Sequence, residues 1–260
     1  MPAVALIADV GESFGSYTMG DDAGLLELIS DANVACGFHA GDPLVIERTV
    51  RLCEQNGVSL GAHPGFPDLA GFGRRAMALT RDEIRSDILY QLGALEAFSR
   101  GWNLSLGHVT IHGKLDNMAG TNHDYASAIV EAIARFDRSL IVVAQSGELE
   151  RVALAEGLDV AYAFMADRAY ESDGQPVSRD RPGAVLHNSA EIAERAIRVI
   201  QTGTLESIDG ESIPMLCDGV LVHGDTPEAV ENARLLRARL VAAGICIEPL
   251  TRVLASRKLP

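Results

Sequence analysis

The stretch Ala32-Asn33-Val34-Ala35-Cys36-Gly37-Phe38-His39-Ala40-Gly41-Asp42-Pro43 opens as a short apolar run over Ala32–Ala35. It then passes through a loop in which two glycines bracket a histidine, and enters a helical pattern over 43–55. This strand–loop–helix unit recurs. Val58–Ala62 runs into His63-Pro64-Gly65, Ser105–Val109 leads to Ile111-His112-Gly113, and Gly219–Val222 leads to His223-Gly224-Asp225. Near the start, Val4–Ala8 leads into Asp9-Val10-Gly11-Glu12, where a carboxylate pair stands in place of the histidine. Further apolar runs at Leu140–Val143, Val160–Phe164 and Ile245–Leu250 alternate with helical patterns at 21–29, 81–100, 123–136, 147–156, 189–202 and 226–243. Short apolar strands alternating with amphipathic helices specify a parallel sheet, either closed as a barrel or open and doubly wound. Barrels of this kind use about 250 residues as one domain. Residues 1–260 are therefore predicted to form a single-domain α/β fold, an irregular TIM-like (β/α) barrel of seven to eight parallel strands.

Local punctuation agrees with that reading. Thr80 with Glu83 forms a capping-box sequence, and Asp225-Thr226-Pro227 supplies a cap with proline near a first helical turn. Gly57, Gly157 and Gly244 follow helical patterns where a left-handed C-cap is expected. The segment 165–188 breaks the rhythm, being rich in Asp, Arg, Gly and Pro; it is either a solvated loop or one folded over the active-site face.

Composition narrows the function. A formal net charge of −14 excludes nucleic acid and anionic membranes as general partners, since both require a basic surface. The cysteines Cys36, Cys53, Cys217 and Cys246 are scattered without a CxxC pair, which argues against a disulfide framework or a structural zinc site. The N-terminus lacks a basic segment ahead of its apolar run, and no stretch approaches 18 apolar residues, so a soluble, cytoplasmic protein is expected. No P-loop, Rossmann GxGxxG or GxSxG elbow is present.

A parallel barrel gathers the C-terminal ends of its strands on one face, where the active site is built. Residues as far apart in sequence as Asp9 and His223 are thus predicted to meet. One carboxylate of Asp9 and Glu12 could hold a metal or activate water while the other acts as acid or base; the plainer reading is that they cap the next turn. His39, His63 and His112 are the remaining catalytic candidates, with Asp42 placed to fix the His39 tautomer. In Gly71-Phe72-Gly73-Arg74-Arg75 two adjacent guanidiniums suit bidentate binding of a carboxylate, against the alternative of a surface salt bridge. Ala166-Asp167-Arg168 and Arg179 invite the same two readings.

At these residues the chain resembles the LamB/YcsF family. The resemblance is carried by Asp9–Glu12, Ala35–Pro43, Gly61–Arg75, Tyr90–Leu95, His112-Gly113, Ala166–Tyr170 and His223–Asp225, and it spans essentially the whole length. It implies a barrel related to the carbohydrate-deacetylase type. It also implies a hydrolase of the 5-oxoprolinase type, opening a small lactam with ATP and two partner subunits. Within that scheme Asp9, Glu12, His39, His63 and His112 would be catalytic, and Asp42, Arg74, Arg75, Lys114, Asp167, Arg168 and His223 would bind substrate.

The departures are specific. The Asn usual two residues before the first Asp is Ile7, the Lys and Tyr of the family's K-P-H-G-A-L-Y-N segment are Thr110 and Asp116, and the Glu three residues ahead of the ADR triplet is Ala163. Lys114 could replace the missing ammonium from a different place on the loop. Two rival readings follow. One is a deacetylase-like amide hydrolase working without ATP, in which Asp9, His39 and His63 hold a divalent metal, although no HxxxH or HExxH pair sets two ligands on one helix. The other is a catalytically lapsed subunit that binds and regulates partners. Self-association is left open.

Overall fold

Strands buried on both faces read as continuous apolar runs, and that is how the parallel strands of this chain are built. The structure, a computed structural model, describes residues 2–178, 180–222, 224 and 228–257. The strands are β1 (Ala3–Val10), β2 (Asp31–Ala35), β3 (Ser59–His63), β4 (Leu106–Thr110), β5 (Ile141–Ala144), β6 (Val160–Met165), β7 (Thr204–Glu206), β8 (Ser212–Pro214), β9 (Gly219–Val222) and β10 (Cys246–Ile247). β1 to β6 follow one another in parallel, and β9 pairs with both β6 and β1, closing a seven-stranded barrel. β10 adds to the first residues of β1, while β7 and β8 form an antiparallel hairpin outside the barrel.

The helices are α1 (Asp22–Leu26), α2 (Pro43–Asn56), α3 (Arg81–Gly101), α4 (Gly113–Ala119), α5 (His123–Phe136), α6 (Glu148–Ala155), α7 (Ser189–Thr202), α8 (Ala229–Ala242) and α9 (Leu250–Arg257). α3 shows the local logic. Its capping box forms as the sequence predicts, and Ile84, Ile88, Leu92 and Leu95 recur at helical spacing on the face turned to the barrel. Burying each such side chain contributes about 1.5–3 kcal/mol. Gln91, on the same buried face, accepts from Gly65 N (2.9 Å) and donates to Gly65 O (3.0 Å), which ties the helix to the loop after β3. Among the described residues, no helix is long and apolar enough to cross a membrane.

The barrel interior is divided. Ala5, Ile7, Ile141, Val143, Ala161, Ala163 and Leu221 form an apolar cluster, joined from below by Leu250 and Leu254 of α9. Opposite it lie buried polar groups from β1 to β4: Asp9, Asp31, Asn33, His63, His108 and Thr110. α9 closes the N-terminal mouth, where Leu250 N donates to Asp31 and Arg257 pairs with Asp218 at 2.8 Å.

The structure departs from the sequence expectation at the shortened run 245–250, at α4 and α9, and at the β7–β8 hairpin. The apolar run 245–250 pairs over only Cys246–Ile247, because Pro249 cannot donate to a ladder and its carbonyl instead begins the α9 turn. α4 and the β7–β8 hairpin are too short for periodicity to reveal. The Asp225-Thr226-Pro227 cap lies outside the described residues.

Candidate active site

The loops after β1, β2 and β4 and the last residue of β3 bring Glu12, His39, His112 and His63 together, all buried. One donor atom from each lies within 4.8 Å of the others. The rings of His39 and His112 stack with centroids 3.7 Å apart, and His63 meets both edge-on. Glu12 Oε1 is 3.4 Å from His39 Nε2 and 3.6 Å from His112 Nδ1. Gly73, at φ +63, lets the Phe72–Arg74 loop press against this pair; a side chain there would run into His112 and His39.

Hydrogen bonding fixes the tautomers. His63 Nδ1 lies 2.8 Å from the Thr110 carbonyl, and His112 Nε2 lies 2.9 Å from the Phe72 carbonyl. A carbonyl only accepts, so both nitrogens carry protons. The two remaining nitrogens, His63 Nε2 and His112 Nδ1, face each other at 3.0 Å. In neutral rings both present lone pairs, an arrangement that calls for a proton or a metal ion between them. Burial, aided by the neighbouring histidines and Arg74, holds the His39 pKa well below the ordinary value, so that ring is neutral, and neither of its nitrogens is hydrogen-bonded. Three convergent imidazoles and a carboxylate fit a divalent transition metal. Of the expected ligand set of Asp9, His39 and His63, the two histidines belong to this cluster, in which Glu12 and His112 also stand. Asp9 stands beside this set, 3.5 Å from His63 Nε2, with Oδ1 taken by the Asn33 amide at 2.8 Å.

The centre opens on a cavity of about 630 Å³ lined by Asp9, Glu12, His63 and His112 among others. Of the expected substrate-binding residues, Arg74, Lys114 and Arg168 also line it. Asp42 does not. It is the N-cap of α2, accepting from Leu44 N and Val45 N, and its second oxygen accepts from Gly15 N at 2.7 Å. Arg75 turns away to pair with Asp68, its side chain 67% exposed. Arg168 supports the loop itself, donating to the carbonyls of Val177 and Ala184. Asp167 is not part of the cavity wall, and its carbonyl accepts from Leu186 N. His223 and Arg179 lie outside the described residues. The described residues of 165–188 fold over the active-site face: Pro176, Val177, Ser178 and Asp180 wall the cavity, over a small core of Ala169, Val177 and Ala184.

The departures from the family pattern gather at the same place. Thr110, Lys114, Asp116 and Ala163 all line the cavity, whereas Ile7 packs in the apolar cluster that includes Ala163. Burial, with the charge of Asp9 nearby, pushes the Asp116 carboxyl up to about 7. Sequence reading missed Asn33 and His108, which are fully buried beneath Asp9. Their signal was present as alternation: Asp31-x-Asn33 and His108-x-Thr110-x-His112 each set polar residues on one face of an apolar strand.

The A subunit of 5-oxoprolinase from Pyrococcus horikoshii is 48% identical over 248 residues, covering 95% of this chain and 97% of that protein. The protein of the same name from Pyrococcus furiosus is 49% identical over 248 residues with the same coverage. The crystal structure of the lactam utilization protein from Thermus thermophilus superposes with a TM-score of 0.91 at 42% identity, covering 95% of this chain and 99% of that one. The LamB/YcsF family model matches residues 4–255, from the first barrel strand to the helix that closes its base, and this chain belongs to the LamB/YcsF family.

Proposed function

We propose that this chain is the ring-opening subunit of a cytoplasmic, multi-subunit hydrolase that acts on 5-oxoproline or a related small lactam with the aid of ATP. The observation that carries this reading is the convergence of Glu12, His39, His63 and His112, three of which line one cavity together with Asp9 while His39 is buried behind them. The names of the similar proteins, the A subunit of 5-oxoprolinase and the lactam utilization protein, support it.

An unstrained amide resists water at neutral pH, so the ring carbonyl must be activated and the leaving nitrogen protonated. A divalent metal held by Glu12, His39, His63 and His112 would supply Lewis acidity toward that carbonyl. Asp9, at the cavity wall, takes a proton from the attacking water and returns it to the ring nitrogen. Arg74, held over the Phe72 ring, and Lys114 hold the substrate carboxylate. The chain has no P-loop, so the nucleotide is assigned to two partner subunits, and no residue here is given a phosphoryl-transfer role. The departures at Thr110, Lys114, Asp116 and Ala163 line the cavity, which supports a change of ring specificity with the fold retained.

Reconstitution with the cognate partner subunits tests this. Wild type is expected to release glutamate from 5-oxoproline only with ATP, and Asp9→Ala to lose about 100-fold or more of that rate. Equal rates in the two would remove Asp9 from the mechanism. The donor set also favours a second reading, metal-dependent amide hydrolysis without ATP; turnover that persists when nucleotide is omitted selects it. The two adjacent arginines supply a separate check. Arg74→Ala is expected to raise KM about tenfold, the loss of one charge-assisted contact, while Arg75→Ala leaves KM within about twofold.

A further inference from the structure

Beneath Asp9 the barrel interior holds a set of hydrogen bonds that the reaction scheme above does not use. Asn33 Nδ2 donates to Asp9 Oδ1 at 2.8 Å. Asn33 Oδ1 lies 2.8 Å from both Thr110 Oγ1 and His108 Nε2. A carboxylate only accepts, so the Asn33 NH2 must face Asp9 and its oxygen must face β4. His108 Nε2 must then carry the proton. Burial depresses the His108 pKa to about 3, which keeps the ring neutral and leaves Nδ1 bare toward Asp31, 3.9 Å away. Turning the Asn33 amide over would set its oxygen against the Asp9 carboxylate and would force the His108 proton onto Nδ1. The bond to Asp9 would be replaced by two facing acceptors.

β2 and β4 are not neighbours in the sheet, since β3 lies between them. The contact crosses the barrel interior over Gly61, whose missing side chain leaves room for the His108 ring. Valine or leucine would fill such a space without the desolvation of three buried polar side chains, Asn33, His108 and Thr110, which their hydrogen bonds must offset. The polar filling therefore needs a reason other than stability. Thr110 serves twice: its hydroxyl bonds Asn33, and its carbonyl receives the His63 Nδ1 proton.

We propose that Asn33, His108 and Thr110 form a buried clamp that aims the Asp9 carboxylate at the cavity, making them positioning residues for hydrolysis. The proposal rests on the role given to Asp9 under the proposed function.

Asn33→Asp is nearly isosteric. It keeps the acceptor for Thr110 and His108 but replaces the donor facing Asp9 with a second carboxylate. In the reconstituted complex it is expected to lower kcat about 10- to 100-fold, as misplacement of a reacting group by about 1 Å does, with KM within about threefold of wild type. Thr110→Val should lower kcat by a smaller factor, and Thr110→Ser should restore it. A readout independent of substrate is the histidine 15N spectrum of the wild-type protein, in which His108 should be neutral with its proton on Nε2. A proton on Nδ1 would overturn the clamp, because Asn33 would then have to be reversed. Wild-type kcat in Asn33→Asp beside an inactive Asp9→Asn would also overturn it while leaving the proposed function standing. Full activity in Asp9→Asn would sink the role of Asp9, and the clamp with it.

Discussion

His63→Ala is expected to abolish metal uptake and to lower turnover on the order of 1000-fold, the loss of several kcal/mol of transition-state stabilisation. The size of the effect follows from where this ring sits. Its Nδ1 proton is committed to the Thr110 carbonyl, so its Nε2 lone pair is fixed toward His112 Nδ1 at 3.0 Å and toward Asp9 at 3.5 Å. Truncation removes one donor from a set of four and also frees His112 from its facing partner. His63 ends β3 beside the open cavity, so the vacated space can admit water, and unfolding free energy should change by only about 1 kcal/mol. Metal content, steady-state rate and urea melting of the same preparation separate these effects. A variant that keeps its metal and its rate would show that His63 is structural.

The largest effect on stability is expected at a residue with no functional group. Gly61→Ala should destabilise the protein by about 3 kcal/mol or prevent its folding, as overpacking a tight interior does. A β-carbon at Gly61 would fall within the His108 imidazole, which is itself fully buried and bonded to Asn33. The ring cannot retreat without giving up that bond inside the barrel. Gly61→Ala combined with His108→Ala removes the overlap and should recover part of the loss; urea unfolding of the two variants measures it. Equal instability in the single and the double variant would place the strain elsewhere.

Much of this was legible in the sequence, for identifiable physical reasons. Strands β1 to β6 and β9 stand within a few residues of their apolar runs because a strand buried on both faces admits little else. The Asp9–Glu12 pair, His39, His63 and His112 were legible because a parallel barrel must gather the ends of its strands. Residues whose role depends on a neighbour's direction were not. Asp42 looks like a partner for His39 but caps α2, and the Asp-Pro pair at a helix start was the local sign of that. Arg74 and Arg75 are adjacent and chemically alike, yet only the fold shows one lining the cavity and the other held by Asp68. Asn33 and His108 pair across an intervening strand, a relation that strand periodicity cannot express. Leu250 reads as the end of an apolar strand and instead starts a helix, because short apolar runs do not distinguish the two.

Anomalous diffraction from crystals equilibrated with zinc or manganese would bear most directly on the buried centre. The expected result is one metal peak per chain within bonding reach of Glu12, His39, His63 and His112, and its disappearance in His63→Ala. A peak held by other residues, or four side chains that bind no metal while the wild-type protein is fully active, would contradict it.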